Sequence, residues 1–87
     1  MIRFSEKVTV SGGLHARPAS VLVHQLNQFS STVKIICDQK QANGKSILSV
    51  MALGVKTGDE VIFEIDGIDE EAAAAEVQKL FQREFAI

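Results

Sequence analysis

The chain has 87 residues, 46% of them apolar, a formal net charge of −2, a single cysteine and neither tryptophan nor tyrosine. That suffices for one domain, 1–87, built on its own core near the lower size limit for folding without staples. Cys37 alone excludes an internal disulfide, the scattered basic residues argue against nucleic acid, and no apolar run nears the roughly 18 residues of a membrane span.

"MIRFSEKVTV" alternates apolar and polar residues, unlike a signal peptide, so a soluble cytoplasmic protein without membrane insertion is expected. Ile2, Phe4, Val8 and Val10 share one face, and a strand is predicted over 2–10 although Glu6 interrupts that face. Gly12 and Gly13 end it. From Ala16 the period becomes helical, through Ala19, Leu22, Val23, Leu26 and Phe29. Pro18 falls in the first turn, where a missing N–H is harmless, and His15 falls at or next to the N-cap. "TVKIICD" reads as a strand with Val33, Ile35 and Cys37 inward, and "QAN" as a short strand after a turn. Ser46 is placed to cap a short helix over "ILSVMAL", and Gly54 to end it. "EVIFEID" is a further strand with Val61, Phe63 and Ile65 inward. Asp69 is expected to cap a last helix that buries Ala73, Val77, Leu80 and Phe81. Glu70 and Glu71 occupy its first turn, where the dipole favours acids.

The order βαββαβα points to an α+β open-faced sandwich. Each βα unit crosses over right-handedly and receives another strand between its two, which gives a four-stranded antiparallel sheet with three helices on one face.

"SGGLHARPAS" sets His15 and Arg17 where a loop becomes a helix. The first amides of a helix lack internal partners and the dipole makes that end partly positive, so it suits an anion. An imidazole there offers a nucleophilic nitrogen, and Arg17 a guanidinium for phosphoryl oxygens. Two readings stand on spacing alone: a surface histidine that caps a helix, or an anion or phosphoryl site. His15, His24, Cys37 and the carboxylates show no recognised metal-ligand spacing, and no metal or cofactor is expected. Ser46 is either an ordinary cap or a place where the helix start would stabilise a phosphate. If Val50 and Leu53 face the sheet, Ile47, Leu48 and Met51 remain outward as an apolar docking patch, of a kind a covering loop would otherwise hide. Cys37 reads as a small core residue.

"GLHARPA" at 13–19 and "GKSILSVMALGV" at 44–55 resemble the two signatures of HPr, the histidine-containing phosphocarrier of the sugar phosphotransferase system, and the element order matches over essentially the whole chain. The resemblance implies a carrier without turnover of its own. Enzyme I would phosphorylate His15 on Nδ1, the group would pass to a histidine of a sugar-specific enzyme IIA, and Arg17 would balance charge. It also implies Ser46 as the target of an HPr kinase/phosphorylase, the seryl-phosphorylated form being a corepressor of the catabolite control protein. Ile47, Leu48 and Met51 match the family's apolar contact patch; Ala16, Ser20 and His24 match positions beside the active histidine. Gly12 stands where many relatives carry a small polar residue, and the tail "REFAI" ends apolar where many relatives end polar. The alternative is a regulatory HPr-like binding module acting mainly through Ser46 and the patch. Its catabolite-repression form replaces the active histidine, which is present here, whereas nitrogen-branch relatives keep it.

Overall fold

Alternation over Ile2–Lys7 builds β1, with Ile2, Phe4 and Glu6 half-buried and Arg3, Ser5 and Lys7 exposed. The computed structural model describes residues 1–86 and continues with α1 (Ala16–Leu26), β2 (Thr32–Cys37), β3 (Lys40–Asn43), α2 (Ile47–Ala52), β4 (Glu60–Asp66) and α3 (Glu70–Gln82). The four strands form one sheet in the order β1-β4-β2-β3, every neighbouring pair antiparallel. β4, the last strand in the chain, therefore lies between β1 and β2.

The expected strand 2–10 stops at Lys7 because its partner β4 begins at Glu60, opposite Lys7. Val8 is fully buried, but its N–H and C=O pair with Asp59 O and Gly58 N of the facing turn. The inward residues of the other strands are the expected ones: Val33, Ile35, Cys37, Val61, Phe63 and Ile65 are all buried. Three helices cover that face; α3 contacts β1 and β4, α1 contacts both α2 and α3, and α2 contacts β3. Packed on two sides, α1 buries a wider arc than its period suggested: Val21 joins Ala19, Leu22 and Leu26, while Val23 and Phe29 are half-buried.

Aromatic rings join the layers. Phe4 stacks on Phe63 at 5.4 Å, Phe63 meets Phe81 edge-on at 5.6 Å, and Phe81 meets Phe85 at 4.9 Å. The tail thus has a structural part: Phe85 is buried, with its N–H on Leu80 O and the Glu84 N–H on Phe81 O, the paired bonds of a Schellman ending. The opposite sheet face is wet. Arg3, Glu64 and Lys34 form a row across β1, β4 and β2, with Glu64 3.2 Å from Arg3 and 3.9 Å from Lys34. Such exposed pairs contribute at most about 1 kcal/mol.

Asp69 occupies the N-cap of α3 but does not cap it with its side chain. Its carboxylate instead accepts the Ser30 and Ser31 N–H groups, at 2.8 and 2.9 Å, and the hydroxyl of buried Ser31. The loop between α1 and β2 offers three donors there. Those bonds, the Ser31 hydroxyl first, hold the Asp69 carboxyl below the usual range.

Candidate phosphoryl-acceptor site

The loop before α1 is anchored on one side and open on the other. Leu14 is 1% exposed, and its N–H donates to Val55 O at 3.2 Å. Gly13 makes that approach possible: its φ is +73°, and a Cβ there would stand 2.2 Å from Val55 O. With Leu14 pinned inward, His15 is turned out. It is exposed, with extended backbone (φ −136°, ψ 153°) and no side-chain capping bond. Its N–H is already bound to Gly13 O at 3.0 Å. Ala16 follows at φ +46°, a left-handed conformation that strains a residue with a Cβ. The Ala16 and Arg17 amides have no backbone partner among the described residues, and Pro18 has no N–H to offer. Arg17 is exposed and in no ion pair or hydrogen bond among the described residues, so its guanidinium is free to meet an anion.

Ala16, Ser20 and His24 are all exposed and recur every four residues, so they form one stripe running from His15 along α1. At its far end Asn27 Nδ2 donates to Lys45 O at 3.1 Å, and Lys45 Nζ donates to Phe29 O. These bonds tie the start of α2 to the end of α1, while the Leu14–Val55 bond ties the segment after α2 to the start of α1. α2 therefore runs back alongside α1, and Ser46 stands about one α1 length, roughly 16 Å, from His15 along that helix.

Ser46 is half-buried at the N-cap of α2, where its oxygen accepts the Ser49 N–H at 3.3 Å. Val50 and Leu53 are buried as expected. Leu48 is 78% exposed and Ile47 38%, with Met51 half-buried beside them, so the outward apolar patch exists and no loop covers it among the described residues. A hollow of about 530 Å³ lined by Thr32, Lys34, Asn43, Lys45, Ser49 and neighbours opens beside α2 and contains neither His15 nor Arg17. The histidine sits instead on open surface. Spacing could not find the Asn27–Lys45 and Leu14–Val55 ties, because their partners are distant in the chain.

Comparison with known proteins bears on the family and the fold. A family model described as "PTS HPr component phosphorylation site" matches residues 2–83. The phosphocarrier protein HPr of Mycoplasma capricolum is 46% identical over 79 residues, 91% of this chain and 89% of that protein. The HPr-like protein Crh of Bacillus subtilis is 38% identical over 84 residues, 97% of this chain and 99% of that one. Among solved structures, HPr-C-His from Thermoanaerobacter tengcongensis superposes with a TM-score of 0.95 at 36% identity, covering 98% of this chain and 96% of that one. The class is that of small phosphoryl carriers, proteins that hold a phosphoryl group between enzymes and catalyse nothing alone. This chain belongs to the HPr family. No helix among the described residues is long and apolar enough to cross a membrane.

Proposed function

We propose that His15 accepts a phosphoryl group from enzyme I and delivers it to a histidine of sugar-specific enzyme IIA domains. The observation that carries this reading is the exposed, uncapped imidazole beside the unpartnered amides of Ala16 and Arg17. The lone pair of Nδ1 attacks phosphorus in line and the N–P bond to the donor's histidine breaks as the new N–P bond forms; the donor ring takes up a proton and leaves as neutral imidazole, while His15 gives up the proton of its other ring nitrogen. Transfer to enzyme IIA reverses these roles. The guanidinium of Arg17 offsets the oxygen charge that spreads as both bonds lengthen. Ala16, Ser20 and His24 rim the contact, and Ile47, Leu48 and Met51 supply its apolar part. Ser46 is the regulatory site, modified by an HPr kinase/phosphorylase and read by the catabolite control protein. The reading places the chain in the cytoplasm with these partners.

The test is incubation with enzyme I and phosphoenolpyruvate, followed by mass measurement. One acid-labile phosphoryl group is expected on the wild type and none on His15→Ala, with the fold retained. Stoichiometric labelling of His15→Ala would sink the assignment.

The second reading, a regulatory module, draws on the match to Crh and on Ser46 beside the bare patch. A pure docking module needs neither a free imidazole at position 15 nor an unpaired guanidinium at 17, and among the described residues both side chains are without a partner.

A further inference from the structure

The end of β2 and the turn before β4 bring together three side chains that phosphoryl transfer does not use. The Sγ of Cys37 and carboxylate oxygens of Asp38 and Asp59 all lie within 4.8 Å of one another. Cys37 ends β2 on the inward face and is 4% exposed; its thiol is free and has no hydrogen-bond partner among the described residues. A thiol beside two carboxylates is a mixed sulfur and oxygen donor set of the kind that holds a cation. Asp38 sits in the two-residue turn to β3, where Asp38 and Gln39 both have positive φ (50° and 69°), as a type I′ hairpin requires. Asp59 Oδ2 accepts the Lys56 N–H at 2.9 Å, which leaves its other oxygen available. Neither carboxylate is in an ion pair among the described residues. The cation that bears on the thiol is Lys40, opposite Cys37 across the hairpin.

We propose that Cys37, Asp38 and Asp59 form a binding site for a borderline-soft divalent cation of the zinc class. One thiolate and two carboxylates leave a fourth, tetrahedral position for water, with zinc–sulfur at about 2.3 Å and zinc–oxygen at about 2.0–2.2 Å. Ligand atoms in such a sphere stand about 3.3–3.8 Å apart, so the three side chains need to close by on the order of 1 Å. Calcium and magnesium favour all-oxygen sets with more ligands, and the thiolate selects against them. On binding, the S–H bond breaks, a sulfur–metal bond forms and the proton goes to solvent. Burial, and then the field of the two aspartates, hold the thiol's pKa up in the metal-free protein. That same field attracts a dication. The bound ion would staple the β2–β3 hairpin to the entry of β4, away from His15.

The experiment titrates zinc chloride calorimetrically into the untagged whole chain in a non-chelating buffer, with cobalt(II) as a spectroscopic probe. One cation per chain is expected, with a thiolate-to-cobalt band in the near ultraviolet and a Tm that rises with zinc. Cys37→Ser, checked for fold by circular dichroism, should lose the band and bind zinc at least about tenfold more weakly. The double variant Asp38→Asn, Asp59→Asn leaves the thiol in place and should bind zinc at least about tenfold more weakly. His15→Ala with His24→Ala should bind as the wild type does. Absence of heat and band at millimolar metal overturns the proposal. So does zinc binding that survives either ligand variant or disappears with the two histidines.

Discussion

Gly13→Ala tests whether the loop under His15 is held by close backbone contact. The added methyl would stand 2.2 Å from Val55 O and 2.8 Å from Lys56 Cα, both backbone atoms that no rotamer can move aside. Gly12 is the internal control, since its φ is +86° and a Cβ there meets nothing within 4 Å. Both substitutions carry the left-handed penalty of about 1–2 kcal/mol. At Gly13 the loop must also retreat, giving up the 3.2 Å Leu14–Val55 bond and drawing Leu14 from a site where it is 1% exposed. The bond is worth about 0.5–1.5 kcal/mol and partial exposure of a leucine about as much again, so Gly13→Ala should cost about 1–3 kcal/mol more than Gly12→Ala. For a chain this size each kcal/mol shifts Tm by about 4–8 °C, so Gly12→Ala should lose about 4–16 °C and Gly13→Ala, at about 2–5 kcal/mol in all, about 8–40 °C. Thermal and urea unfolding of both variants beside the wild type measures this. Phosphoryl uptake from enzyme I, run well below each Tm, shows whether His15 is displaced as well. Equal Tm losses for the two variants would refute the argument that contact, beyond backbone conformation, sets this loop.

Arg17→Ala should leave Tm unchanged, since the side chain is exposed and unpaired among the described residues, and should lower kcat for transfer by about 10–100-fold with little change in KM; stopped-flow kinetics with enzyme I decides this, and a pure KM effect would make Arg17 a docking residue. Ser46→Asp puts a charge beside Ile47 and Leu48, which an apolar contact must desolvate, and should slow His15 phosphorylation mainly through KM. The effect should shrink at high salt, while the fold holds because the Ser49 N–H already faces position 46. Equal rates at low salt would remove Ser46 from regulation. Asp69→Asn should be less stable than wild type at pH 7, because the Asp69 carboxyl is held below its unfolded value by the Ser31 hydroxyl and the Ser30 and Ser31 amides. A lowered folded pKa gives stability that is present above the unfolded value and lost as pH falls through the folded one, so the gap should close below about pH 4 in urea titrations. A constant gap down to pH 2 would refute it.

What repeats along the chain was legible in the sequence. Period two placed Val33, Ile35, Val61, Phe63 and Ile65 inward, period 3.6 placed the helices, and cap chemistry set His15 and Ser46 at helix starts, because each depends on neighbours a few residues away. The bare patch was legible for the same reason: a short helix with one buried side cannot hide Ile47, Leu48 and Met51. Tertiary structure decided the rest. β1 stops at Lys7 because β4 supplies no further partner; the Asp69 carboxylate leaves its helix for Ser30 and Ser31, 39 and 38 residues earlier; Phe85 is buried because Phe81 awaits it. Cys37 and Asp59 become neighbours only when β4 inserts beside β2. Periodicity encodes which face of an element is apolar, but a contact between elements depends on how the sheet orders its strands, and that order comes from burying all those faces together.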